Sequence, residues 1–295
     1  MKYKIIILAF LILILPLSFL IAFQKSRIKT CARIFLSQVY NSEWIFGEDF
    51  GYKYRLFCPE NLEKKNNRKY PLLVYLHGAG ERGNDNRLQI YDLPYLGTGG
   101  GKNKKVFQKK YPSIVYVPQC PKNKTWNDKD TLTALTKTID KLTDKYPIDK
   151  DRLYLIGYSM GGSGTYALAS QYYLSTKQPV AAIVRLAGQS SFDRKTHEII
   201  SKSSVWLHVG LHDIDLRIEK AREAYAILKE IHKNAIETSK QTNIAQHPGT
   251  TVTLRLNHVE RAKKSEYMND GHGISNFPFE DSSLMEWIFR QQLRR

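Results

Sequence analysis

The chain has 295 residues, 42% hydrophobic and 25% charged, the balance of an ordinary globular protein, which excludes a disordered, collagen-like or cysteine-stapled chain. Its 45 Lys and Arg against 28 Asp and Glu give a formal charge of +17, which would draw anionic partners. The basic residues are scattered over polar stretches (Lys64, Lys65, Arg68, Lys102, Lys104, Lys105) and match no nucleic-acid motif, so they read as a solvated surface and no nucleic acid is expected.

Residues 5–23 (IIILAFLILILPLSFLIAF) form a charge-free apolar run preceded by Lys2 and Lys4 and followed by Lys25, Arg27 and Lys29. The run exceeds an ordinary signal-peptide core and just suffices for a bilayer of about 30 Å, so residues 1–23 read as a signal peptide or transmembrane anchor. The expected organisation is this leader, a stem over 24–50, and one α/β domain over 51–295. That domain would be exported, either membrane-anchored through the leader or released by cleavage. Cys31 lacks the small apolar residues expected before a lipid-modified cysteine. Cys58 and Cys120 could pair in an exported domain or remain buried thiols.

From Tyr52 onward, short apolar runs alternate with helical stretches. Residues 52–58 alternate like an outer antiparallel strand, and residues 71–76 (PLLVYL) read as a buried one. Residues 113–117 follow as a strand. Residues 129–146 then place Leu132, Leu135, Ile139 and Leu142 at helical spacing. Strands are expected at 153–156, 180–186, 204–209 and 250–256. A helix over 218–231 carries Ile218, Ala221, Tyr225 and Leu228, and a last helix capped by Asp281 carries Leu284, Trp287 and Ile288. This alternation predicts an α/β fold, a mostly parallel central sheet with helices on both faces.

The segment LYLIGYSMGGSGTYALAS runs from strand into helix through Gly157-Tyr158-Ser159-Met160-Gly161, a G-x-S-x-G elbow. Ser159 is the candidate nucleophile; the glycines are needed because a Cβ two residues away would collide with neighbouring backbone. Its oxyanion requires two N–H donors. Met160 supplies one, and the loop after residues 71–76 supplies the other through Ala79, with Gly80 as the alternative. His77 in that loop reads as structural. The acid follows a later strand in SVWLHVGLHDIDL: Asp213, with Asp215 as the alternative. The base is His272 in NDGHG, a glycine-flanked loop before the last helix, in preference to His258. His208 and His212 lack an HExxH pattern, so no metal is expected, and the scheme needs no cofactor.

Together PLLVYLHGAGERG, VPQCP, LYLIGYSMGG, HVGLHD and DGHG resemble the α/β-hydrolase superfamily, and within it the branch of feruloyl and acetyl-xylan esterases, polyhydroxybutyrate depolymerases and phospholipase/carboxylesterase-like proteins. The resemblance implies the α/β-hydrolase fold and a cofactor-free serine esterase, with its triad on Ser159, Asp213 and His272. The substrate would be a small-molecule or polymer-linked ester. The resemblance also suggests Trp126 beside an acyl pocket, though a core tryptophan fits equally, and Tyr158 is the second candidate substrate contact. Glu81 and Arg82 would brace the loop. The family's proline soon after the acid is absent from Ile214-Asp215-Leu216, which keeps Asp215 in contention. Rival readings are a prolyl-oligopeptidase-type peptidase, a lysophospholipase or thioesterase, and a non-catalytic membrane-tethered binding protein on a hydrolase scaffold. The oligomeric state is left open.

Overall fold

The computed structural model describes residues 44–59, 62, 68–90, 108–210, 213–231, 235–238, 252–257 and 282–293. The apolar run 5–23, Cys31, His212, His258, His272 and Asp281 lie outside the described residues. Among the described residues no helix is long and apolar enough to cross a membrane.

Among the described residues nine strands form one sheet: β1 (Trp44–Asp49), β2 (Tyr52–Phe57), β3 (Tyr70–Leu76), β4 (Ile114–Pro118), β5 (Ile148–Tyr158), β6 (Ala182–Leu186), β7 (Ser204–Gly210), β8 (Ala235–Thr238) and β9 (Val252–Asn257). Their spatial order is β1-β2-β4-β3-β5-β6-β7-β9-β8. β1 and β2 pair antiparallel, as do β2 and β4; every other pairing is parallel. The intervening helices are α1 (Lys129–Lys145), α2 (Met160–Thr176), α3 (Arg194–Ile200), α4 (Asp215–Ile231) and α5 (Ser282–Arg290).

The central strands are apolar at successive positions because both faces are covered. Leu72, Val74 and Leu76 of β3 and Leu153 and Leu155 of β5 point to one face. There they meet the expected stripes of α1 (Leu132, Leu135, Ile139, Leu142) and α4 (Ile218, Ala221, Tyr225, Leu228), together with Tyr166 and Leu168 of α2. Leu73, Tyr75, Tyr154, Ile156 and Trp206 point to the other face and meet Leu284, Trp287 and Ile288 of α5. Leu284, Trp287 and Ile288 are fully buried, and each such side chain contributes about 1.5–3 kcal/mol on removal from water.

Several elements differ from expectation, among them α3, a short helix between β6 and β7 that was not expected from the sequence. β1 falls within the stretch read as a stem: Trp44 packs on the buried face while Ile45 and Phe46 are exposed, and Gly47 lies against the Tyr54 ring, where a Cβ would sit 2.1 Å from a ring carbon. β5 begins at Ile148 rather than 153. Its polar start IDKDR pairs with β3 through Tyr70↔Ile148, then shifts register to Leu72↔Leu153, so alternation breaks where the strand begins. β8 is a short added strand beyond β9. Cys58 and Cys120 are not bonded to each other. Both are free thiols, pushed up by burial to about 11 and about 12, which keeps them protonated.

Candidate active site

Parallel strands deliver their carboxyl ends to one rim, and β5 ends there directly before Ser159. Ser159 adopts φ 56°, ψ −115°. A side chain in this region is strained by about 1–3 kcal/mol and stays there only if its surroundings over-determine it. They do: Ser159 N–H donates to Leu186 O at 2.8 Å, Ser163 N–H donates to Ser159 O at 3.2 Å, and α2 starts at Met160. The flanking glycines answer to backbone. A Cβ on Gly161 would lie 1.9 Å from Leu76 O, and one on Gly157 2.1 Å from Gly161 O. The elbow therefore holds Ser159 half-exposed at the rim, with Tyr158 buried behind it.

The loop after β3 lies beside this serine. A Cβ built on Gly78 would stand 3.7 Å from Ser159 Cβ and 3.4 Å from the Tyr158 ring. Ala79 and Gly80 follow in an exposed single turn, Ala79–Glu81. Met160 opens α2, so its N–H has no intrahelical acceptor. Candidate donors from two elements thus border the same serine.

His77 fixes that loop. Its ring is fully buried, Nε2 accepts from Cys120 N–H at 3.0 Å, and Nδ1 lies 2.6 Å from Gly78 O, which requires the neutral Nδ1–H tautomer. Burial pulls its pKa down to about 4, so the ring stays neutral near pH 7. Trp126, a candidate substrate contact from sequence, is fully buried; it donates to His77 O at 2.9 Å and stacks edge-on to the imidazole at 4.9 Å. Gly164 of α2 packs onto it, with a Cβ there only 2.3 Å from Trp126 Cβ. Arg82 donates to Ala79 O and Lys124 O, and Glu81 O accepts from Gln119.

Asp213 follows β7 at the same rim. Its side chain has no exposed surface, and Oδ1 accepts from Arg217 at 2.6 Å and from Ile214 N–H at 2.8 Å. Asp215 is exposed at the start of α4. His272 lies outside the described residues, so the geometry assembles Ser159, the loop after β3 and the Asp213 turn without the base. Among the described residues no cluster of His, Cys, Asp and Glu could hold a metal.

Beyond Glu81 and Arg82, sequence reasoning missed the residues that brace this rim. Gln119 bonds Asn86 N–H, Glu81 O and Asp85; Arg185, buried, donates to Gly188 O and Ser190 O; Ser163 Oγ accepts from Gln189 and Ser190 N–H. Burial pulls the Arg185 guanidinium down from its usual range, and the Tyr166 ring 4.8 Å away offsets part of that cost. Arg217 reaches Asp213 from one helical turn on. Only that i, i+4 spacing from a candidate acid was visible in the sequence.

A family model described as an alpha/beta hydrolase of unknown function matches residues 101–205, the stretch containing β4, β5, the elbow and β6. No curated protein matches the chain in sequence. Among solved structures, a thermostable esterase is 27% identical with a TM-score of 0.67, over 86% of this chain and 64% of the other. This chain therefore spans just under two thirds of that protein's length. A ferulic acid esterase is 14% identical (TM-score 0.54; 83% and 95% covered). A feruloyl esterase module from Clostridium thermocellum, solved with sinapinate, is 13% identical (TM-score 0.55; 85% and 89% covered). At those identities the last two speak to fold alone. Sheet order, elbow and family match agree: this chain has the α/β-hydrolase fold.

Proposed function

We propose that the protein is a serine-dependent carboxylic ester hydrolase working through an acyl-enzyme. The observation that carries the reading is Ser159 at φ 56°, ψ −115° between β5 and α2, a strained position that places a hydroxyl at the rim of the sheet. The similarity to a thermostable esterase supports ester cleavage in general.

In this reading His272 takes the Ser159 proton as Oγ attacks the ester carbonyl carbon. The negative oxygen is held by the N–H of Met160 and of Ala79 or Gly80. His272 then returns the proton to the departing alcohol, the C–O bond breaks, and an acyl-Ser159 ester remains. Water, deprotonated by His272, attacks that ester and releases the acid. Asp213 keeps the imidazole oriented. Its burial and its bonds to Arg217 and Ile214 favour it over the exposed Asp215. Trp126 supports the loop from beneath, while Tyr158 lines the floor behind the nucleophile. No cofactor takes part. The leader would carry the enzyme to or across a membrane.

The test is hydrolysis by the purified full chain of a panel of short-chain, aryl and long-chain esters, with amides of the same acyl groups as controls. Esters should be cleaved, with a rate rising through an apparent pKa of about 6–7. Ser159→Ala should lower the rate by about 10⁵–10⁶-fold. Preferential cleavage of the amides would favour a peptidase instead, and a long-chain preference a lysophospholipase or thioesterase.

A further inference from the structure

At the amino ends of the parallel strands, opposite the Ser159 rim, lies a concavity of about 540 Å³ lined by Arg68, Lys69, Lys110, Arg152 and Arg290, with Glu286 the one carboxylate among the described lining residues. Its floor is apolar: Tyr111 and Phe289 stack at 4.7 Å. Lys110 pairs with Glu286 at 2.9 Å, and Arg152 with Asp149 at 2.7 Å, while Lys69 and Arg290 stand exposed beside them and add positive charge to the surface. Arg152 and Ser159 belong to one stretch of chain, seven residues and so roughly 23 Å apart, which separates this base from the candidate active site.

We propose that this base is a docking surface for the anionic phospholipid headgroups of a membrane. Several unlike elements converge on it: the residues before β3, those before β4, the start of β5 and the end of α5. Cations over an apolar floor suit a phosphate headgroup above its glycerol. The direction of the chain selects a lipid surface over a soluble anion. Trp44 pairs with Phe57, which pairs with Val115 near the start of β4, so the chain enters the sheet toward its amino-end side. The apolar run at 5–23 precedes Trp44 by only the 20 residues 24–43, at most roughly 70 Å when fully extended. A membrane holding that run therefore presents its headgroups to the base at high effective concentration, and weak contacts suffice. Docked this way, the base faces the membrane and the Ser159 rim faces away.

The experiment uses the full chain incorporated into vesicles of phosphatidylcholine alone, or with about one third phosphatidylserine, and reads amide hydrogen exchange. Because each Lys or Arg near an anionic surface contributes about fivefold, amides of residues 68–70, 109–111 and 286–293 should gain about tenfold or more protection on the anionic vesicles alone. Lys69→Glu combined with Arg290→Glu, both exposed, should abolish the gain while leaving the thermal melt unchanged. Equal protection on both vesicle types would overturn the proposal. So would protection that survives the double substitution, or protection by soluble heparin where anionic vesicles give none.

Discussion

The two ends of the sheet use polar residues in opposite ways. At the carboxyl-end rim they are buried and matched: His77 is held between Cys120 N–H and Gly78 O, Arg185 between Gly188 O and Ser190 O, and Asp213 against Arg217. At the amino-end base they keep contact with water, from the half-buried Arg152–Asp149 pair to the exposed Lys69 and Arg290. The Lys110–Glu286 pair keeps 55% and 39% of its side-chain surface exposed, so each partner loses little if the other is removed. Rim residues set geometry, because a buried group without its partner costs about 1–3 kcal/mol or more and the chain has one low-energy way to satisfy all of them. Base residues set a field.

That contrast can be broken first at the acid. Asp213→Asn should lower ester hydrolysis by about 10⁴-fold, whereas Asp215→Asn should change it less than about twofold. Equal losses in the two variants would remove the distinction drawn from burial. Next in size is Gly161→Ala, whose Cβ meets Leu76 O at 1.9 Å. Backbone on both sides leaves no cheap relaxation, so denaturation should show a loss of about 3 kcal/mol or more.

The His77 ring gives a pH test of similar size. Its folded pKa of about 4 lies below the ordinary 6.5, so folding favours the neutral form. The contribution is fully present above pH 6.5 and is lost as the pH falls toward 4, when the unfolded chain takes up the proton first. The loss should reach about 3 kcal/mol. His197, also lowered by burial, adds in the same direction. Urea denaturation at pH 7 and pH 4.5 should therefore show a smaller difference for His77→Gln than for the unsubstituted chain. The smallest effect belongs to the base: Lys110→Ala should leave the melting temperature unchanged, and a clear drop would show that exposed pairs matter more here than solvation allows.

How much of this was legible in the sequence follows from the range of each signal. GYSMG was readable because a strand-to-helix elbow needs glycine at 157 and 161, the first against local backbone and the second against β3, and the apolar runs of β3, β5 and β7 because burial on both faces leaves few polar positions. β1 was not, since WIFGED is an edge strand with exposed Ile45 and Phe46, a glycine and two acids, and only pairing with β2 makes it a strand. The start of β5 was hidden for the same reason. Gln119, Ser163 and Arg185 brace the rim through partners whose approach exists only after folding, and Gln119 sits more than 30 residues from Asn86 and Glu81. Trp126 shows the limit of spacing arguments: its place after VPQCP suited a pocket wall or the core, and packing put it under His77. His272 rests on sequence order alone.

The central claim is that Ser159 is an activated nucleophile. Treating the full chain with a fluorophosphonate and locating the adduct by peptide mass spectrometry tests it most directly. The account predicts phosphonylation of Ser159, absent in His272→Ala, while a folded chain left unlabelled, or labelled at another serine, would contradict it.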